Sequence, residues 1–202
     1  MPNDIQIVNA ALVKLGHEPI AALTDESDQA RAANAIYDIC RDDALSAHDW
    51  NFATKRAQLA ELAITQPTDE YTHFYQLPTD GLRVLYIEPI GTRYAVENGR
   101  IFTDLAAPLK IAYIARITDA ALYSANFVAA FVYRLCAELV TALTARDGYT
   151  KDFWALYQDK LREAKASDAQ EGTGIVETDN PLGDVRRFSA TSGVDHSGWP
   201  WV

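Results

Sequence analysis

The period with which apolar residues recur changes twice along the chain, and this change constrains the fold more than any single motif. Near the start, Ile5, Val8 and Leu12 recur every three or four positions, which places them on one face of a helix. From about residue 53 the period falls to two, as in a strand, and it returns to the helical value at about residue 125. We therefore expect helices from the two ends of the chain to share one core.

Four helices are predicted, two in each helical stretch. Polar side chains that can cap a helix precede each apolar run, and a glycine or a polar turn follows it. The second helix is expected to end near His48, the third to span about residues 125–146, and the fourth to end near Ala169. The predicted caps and stops are, in chain order, Asn3 or Asp4, Gly16, Ser27 or Asp28, Ser124, Asp147-Gly148 and Thr150.

The middle of the chain is predicted to form a small antiparallel sheet of four or five strands. Its clearest signal is Asn98-Gly99, which lies between the segments 94–97 and 100–103. A two-residue type I′ turn fits this pair, because both central positions of such a turn require a positive φ.

The predicted fold class is α+β and mainly α: a helical bundle with an inserted small antiparallel β-sheet and an extended C-terminal arm. The N-terminal helix pair is assigned to residues 1–52 and the β-rich insertion to residues 53–118. The C-terminal helix pair is assigned to residues 119–170, and the arm to residues 171–202, which contain several glycines and prolines and show no sustained apolar period.

The charge of the chain excludes a surface that binds duplex DNA. The net charge is −10, and the 18 basic residues are scattered, with Lys55-Arg56 and Arg186-Arg187 as the densest pairs. Phosphate contacts require clustered Lys and Arg. A membrane span is not expected either, because the most apolar stretch, residues 127–143, is interrupted by Arg134 and Glu138.

No pattern of residues in the sequence predicts an enzyme, a cofactor site or a metal site. Cys40 and Cys136 fall inside predicted helices without the spacing of metal ligands, so they are expected to be small buried residues. His48-Asp49 and Asp195-His196 resemble acid–base pairs, but side chains adjacent in the chain seldom share one site. They are interpreted as solvated polar residues.

Four large aromatic residues have different expected roles. Trp50 and Phe52 follow the second helix and are expected to anchor the core. Trp199 and Trp201 lie in a polar tail that has no local core to receive them. Tryptophan is enriched at the energetic centres of interfaces, so these two are expected to contact a partner.

Four segments, taken together in order and spacing, resemble one known family. They read VNAALVKLGHEPI at 8–20, AANAIY at 32–37, AHDWNFA at 47–53 and LPTDGLRVL at 77–85. These segments are similar to the tail tubular protein A family, the head-to-tail adaptor (gatekeeper) proteins of short-tailed phages. The resemblance covers about residues 5–170 and contains no catalytic fingerprint.

The resemblance implies a structural protein of the virion that is assembled in the host cytoplasm. About a dozen copies would form a ring that joins the portal protein to the tail nozzle or tail tube and continues the DNA channel. DNA would pass without specific binding, and the acidic composition suits such a channel. The implied ring contacts are on helices one, three and four.

Two contact regions follow from this resemblance. The arm would contact the portal or a neighbouring subunit through five residues: Arg186, Arg187, Phe188, Trp199 and Trp201. The hairpin would contact the tail side through four residues: Tyr94, Asn98, Gly99 and Arg100.

Two other functions stay open at this point. One is a portal-docking adaptor of a long-tailed phage, which the long β insertion disfavours. The other is a tail-associated cell-wall hydrolase, which would require paired carboxylates or a metal triad in a cleft. The sequence offers many carboxylates but no pairing motif.

Overall fold

The computed structural model describes residues 2–63, 70–144 and 147–171. Residues 1–172 form one compact unit. The four helices are α1 (Asp4–Lys14), α2 (Asp28–Ser46), α3 (Ala125–Thr144) and α4 (Asp147–Gln170). The six strands are β1 (Thr54–Leu59), β2 (His73–Gln76), β3 (Gly81–Glu88), β4 (Tyr94–Glu97), β5 (Arg100–Thr103) and β6 (Leu109–Ala115).

The starts of the first two helices follow from their caps, as the sequence predicts. The Asn3 side chain accepts a hydrogen bond from the Gln6 backbone N–H at 2.8 Å, and the Gln6 side chain accepts one from the Asn3 N–H at 3.1 Å. The Ala30 N–H donates to the Ser27 hydroxyl at 3.2 Å. Gly16 follows α1 with a φ of 80°, a left-handed conformation that ends a helix at little cost.

The third helix is the centre of the helical layer. α1, α2 and α4 all pack against α3. Its inward side chains are almost fully buried, including Phe127, Phe131, Leu135 and Leu139. Within the described residues, α3 is also the one helix long and apolar enough to cross a membrane by length and composition. Because it is enclosed by three helices and carries Arg134, we interpret it as the core helix of a globular unit.

The strands form two separate three-stranded antiparallel sheets. The first has the order β1-β6-β3 and the second the order β2-β5-β4. β6 is buried at every position except Lys110. Ile87 of β3 and Ile111 and Ile114 of β6 belong to the same apolar core as the helices. The first sheet therefore packs against the helices and encloses the main core together with them.

This arrangement corrects the predicted fold class. The prediction of a mainly α helical bundle with one small inserted sheet is wrong, because six strands in two sheets accompany the four helices and the fold is mixed. The error arose because a strand that is buried on both faces, such as β6, shows no alternation of apolar and polar residues. Its sequence therefore does not indicate that it packs against the helices.

The apolar spacing of the fourth helix predicts that Phe153, Trp154, Leu156, Tyr157 and Leu161 face inward, and this prediction is wrong in part. Tyr157 and Leu161 are buried as expected, whereas Trp154 and Leu156 are 43% and 42% exposed. Trp154 lies at the surface, and its ring contacts Tyr157 at 5.4 Å between centroids. α4 therefore carries an exposed apolar surface in addition to its buried stripe.

Candidate protein-interaction site

The β4–β5 hairpin has the turn that the sequence predicts. Asn98 has a φ of 48° and Gly99 a φ of 68°, and Glu97 pairs with Arg100 directly across the turn. Two consecutive positive φ values are the signature of a type I′ turn, whose twist matches that of the paired strands. The prediction of the turn is confirmed.

The turn is tied to the neighbouring strand. The carbonyl oxygen of Gly99 accepts hydrogen bonds from the Leu77 backbone N–H and the Gln76 side-chain amide, both at 3.0 Å. Asn98 and Gly99 are exposed at the tip, while Tyr94 and Arg100 are half-buried in the strands. Of the four predicted contact residues, two are therefore presented at the tip and two support it.

A small aromatic cluster supports the second sheet from the face opposite the main core. Phe74 and Phe102 meet edge to face at 5.1 Å between ring centroids, and Tyr71 packs beside Phe102. The guanidinium of Arg93 lies 4.8 Å from the Tyr71 ring centroid and forms an ion pair with Glu70. The hairpin therefore belongs to a sheet with apolar side chains packed on both faces, the main core on one and the aromatic cluster on the other.

The predicted contact region of the arm is not among the residues that the structure describes. Arg186, Arg187, Phe188, Trp199 and Trp201 all lie outside the described residues. Their role stays a prediction.

The His48-Asp49 pair singled out in the sequence is divided between two different partners. The Asp49 carboxylate forms an ion pair with Arg83. His48 Nε2 lies 3.6 Å from a carboxylate oxygen of Asp168, near the end of α4. The sequence analysis missed Asp168, which is 5% exposed.

Asp168 joins the end of α4 to the segment that follows α2. Both of its carboxylate oxygens lie 3.2 Å from the backbone nitrogen of Asn51, and its own carbonyl accepts a hydrogen bond from the Asn51 side chain at 2.7 Å. Burial lowers the pKa of His48, while the Asp168 carboxylate acts in the opposite direction. No Ser, Thr or Cys side chain hydrogen-bonds to His48 in the described part of the chain, so we interpret this pair as a structural tie.

A second buried charge, Arg134, was read in the sequence only as an interruption of an apolar helix. Its guanidinium pairs with Asp43 of α2 at 2.9 Å and with Glu138 of α3, and it lies 5.0 Å from the Trp154 ring centroid. These contacts raise the pKa of Arg134 although burial alone would lower it. Arg134 therefore joins α2, α3 and α4.

The thiols are buried, as expected. Cys40 and Cys136 are not bonded to each other, and burial raises their pKa values to about 11 and about 12. Among residues 2–63, 70–144 and 147–171, no three His, Cys, Asp or Glu side chains are grouped so as to hold a metal ion.

Comparison with protein-family models gives no match, and a search of curated proteins finds no sequence of significant similarity.

Proposed function

We propose that the chain is a structural head-to-tail adaptor of a phage virion, which forms a ring between the portal and the tail. The observation that supports this proposal most is that helices before and after the β region pack in one core, combined with the four family-like segments. α1 and α2 pack on α3, and the strands between them form two sheets rather than a separate catalytic domain.

Three of the four family-like segments include a connection between two elements, and the fourth, residues 32–37, lies within α2. Residues 8–20 contain most of α1 and its glycine stop, and residues 47–53 connect α2 to β1. Trp50 of that connection is fully buried and its indole N–H donates to the Ala44 carbonyl at 3.0 Å. In this proposal the segments resemble the family because they hold the helices and the sheets together.

The proposed ring contacts use the outer helices. α3 is enclosed, so we assign the contacts to α1, α2 and α4 in place of α1, α3 and α4. Each of these helices exposes at least one large apolar side chain, and Ile39 is the most exposed of them at 68%. The others on these helices are Val13, Tyr149, Trp154 and Leu156.

The hairpin and the arm are proposed as the two axial contacts. The hairpin tip at Asn98-Gly99 would meet the tail nozzle or tail tube, and the arm would meet the portal or a neighbouring subunit. Proteins joined along one axis need two separate surfaces on each copy, and these two regions lie in different parts of the chain. The net charge of −10 favours the passage of DNA without specific binding.

The test is the mass of the purified protein, measured alone and after mixing with its portal. We expect a closed ring to form on the portal. Ile39→Asp should reduce ring formation by introducing a charge into an apolar contact, while Ile90→Asp is the matched control at an exposed loop position. A protein that never associates with the portal would contradict the proposal.

A further inference from the structure

A pocket of about 560 Å³ lies where α1 begins, beside the segment that leads into α3. Ile5, Ala22, Leu23 and Ala120 supply much of its apolar lining. The pocket is open to solvent, as a docking site for an extended segment must be.

The charged groups at the pocket are both acidic. The lining includes Asp4 and Asp119 and contains no Lys or Arg. Asp4 accepts a hydrogen bond from the Tyr37 hydroxyl at 2.9 Å, and Asp119 accepts one from the Ala121 backbone N–H at 2.9 Å. Neither carboxylate forms an ion pair within the described residues.

Two basic side chains of the same unit, Arg41 and Arg116, are already engaged in ion pairs. Arg41 pairs with Asp38 and Asp42, and Arg116 pairs with Asp42. At the α1 N-terminus, the reciprocal hydrogen bonds of Asn3 and Gln6 satisfy two backbone donors, and the Asp4 carboxylate disfavours an anion at the same place. An apolar groove with two carboxylates that form no ion pair to the described residues fits a cation that is adjacent to an apolar side chain.

The sequence of the chain contains a segment in which cationic side chains adjoin an apolar one, and this segment lies outside the described residues. Arg186-Arg187-Phe188 places two guanidinium groups next to an aromatic ring. The other dense basic pair is already engaged within the first sheet and its loop: Lys55 pairs with Asp80 at 2.8 Å, and Arg56 hydrogen-bonds to Tyr86 at 3.4 Å.

The length of chain between α4 and this segment is sufficient to reach a neighbouring copy. Residues 172–185 separate the last described residue from Arg186, and at about 3.3 Å per residue they can extend about 45 Å. The radius of gyration of a compact unit of this size is about 15 Å. The segment can therefore reach past the body of one copy.

We propose that this pocket binds the segment Arg186-Arg187-Phe188 of a second copy of the chain, with Asp4 and Asp119 contacting the guanidinium groups and the apolar lining receiving Phe188. The choice of a second copy rests on the proposed ring. A pocket and a segment on different parts of the chain make a head-to-tail contact, and repetition of such a contact around an axis closes a ring.

The test is disulfide formation between two singly substituted full-length chains. One carries Ala121→Cys at the pocket and the other carries Ser189→Cys beside Phe188. The native thiols at Cys40 and Cys136 are 1% and 0% exposed and do not compete. Ala166→Cys, at an exposed position on α4, replaces Ala121→Cys in the matched control. The chains are mixed, oxidised alone and on the portal, and resolved by non-reducing electrophoresis.

We expect the Ala121→Cys and Ser189→Cys chains to form a covalent dimer at about ten times the yield of the control pair. Adding Arg186→Glu and Arg187→Glu to the Ser189→Cys chain should reduce that yield to the control value. Equal yields in the two pairs, or a dimer insensitive to the glutamates, would overturn the proposal. A further variant carries both Ala121→Cys and Ser189→Cys in one chain. A disulfide that forms only within this chain, and never between two chains, would also overturn the proposal.

The portal mixing experiment keeps the two proposals separate. A specific cross-link in a protein that never joins the portal would overturn the proposed adaptor function and leave this contact standing. A wild-type ring on the portal without the cross-link would overturn this contact and leave the adaptor function standing.

Discussion

The backbone N–H of Asn51 points at the buried carboxylate of Asp168, which lies 117 residues later in the chain, with nitrogen-to-oxygen distances of 3.2 Å. The Asn51 side chain also donates to the Asp168 backbone carbonyl at 2.7 Å. These contacts join the start of the β region to the last turn of α4. The start of the β region and the end of α4 are therefore held together by specific polar groups as well as by apolar packing.

Replacing Asp168 by alanine should lower the free energy of unfolding by about 1–3 kcal/mol, because the Asn51 backbone N–H loses the buried carboxylate that accepts its hydrogen bond. The measurement is urea denaturation followed by far-UV circular dichroism. Asp159→Ala is the matched control, since Asp159 pairs with Arg162 on the exposed face of the same helix. Its change should stay within about 0.5 kcal/mol, and equal losses for the two variants would contradict the role assigned to Asp168.

Lowering the pH should destabilise the protein partly through His48. Its pKa is lowered from 6.5, mainly by burial, so the unfolded chain binds this proton more tightly than the folded one. The contribution to stability is complete above the unfolded pKa and is lost as the pH falls from there through the folded pKa. The urea midpoint of His48→Gln should therefore decrease less than that of the wild type between about pH 8 and about pH 5.5. An identical decrease in both proteins would rule out a contribution from His48.

Gly99→Val should weaken the β4–β5 hairpin and leave the helices intact. A branched side chain at a φ of 68° costs about 1–2 kcal/mol in a left-handed conformation. Hydrogen exchange should become faster at the Leu77 N–H, which donates to the Gly99 carbonyl, while helical circular dichroism stays unchanged. Asn98→Gly is the control that keeps a positive φ accessible, and it should not accelerate exchange. Loss of helical signal in Gly99→Val would show that the hairpin is not a local unit.

The two thiols should react with Ellman's reagent only after unfolding. Both are buried in the core, and their raised pKa values leave little thiolate near neutral pH. We expect essentially no release of the chromophore in buffer and release equivalent to two thiols per chain in denaturant. Rapid release in buffer would show that α2 or α3 opens readily.

Most features that depend on neighbouring residues could be predicted from the sequence, but the predicted break at Asp147-Gly148 and cap at Thr150 are wrong, because α4 already begins at Asp147. The caps at Asn3 and Ser27, the turn at Asn98-Gly99 and the burial of Trp50 each follow from a few adjacent positions. The division of the strands into two sheets could not be predicted, because β1 pairs with β6 across more than fifty residues. Such pairings are decided by the tertiary core rather than by local propensity.

The buried charges escaped the sequence analysis for a related reason. Asp168 lies on α4, whose pattern contains many other charged residues, and Arg134 was interpreted only as an interruption of the apolar α3. Their partners, Asp43 and Asn51, come from distant parts of the chain. A charge is tolerated in an interior only when such partners are present, and one sequence does not reveal which distant residues will meet.

The central position of α3 determines when the protein can fold during its synthesis. α1 and α2 pack on α3, whose last residue is translated about a hundred residues after α2 is complete. At about 5–20 residues per second, this interval lasts about 5–20 s. Throughout it, the apolar faces of the first two helices are open to chaperones and proteases. A chain whose synthesis ends before α3 would therefore lack the helix on which those faces are buried.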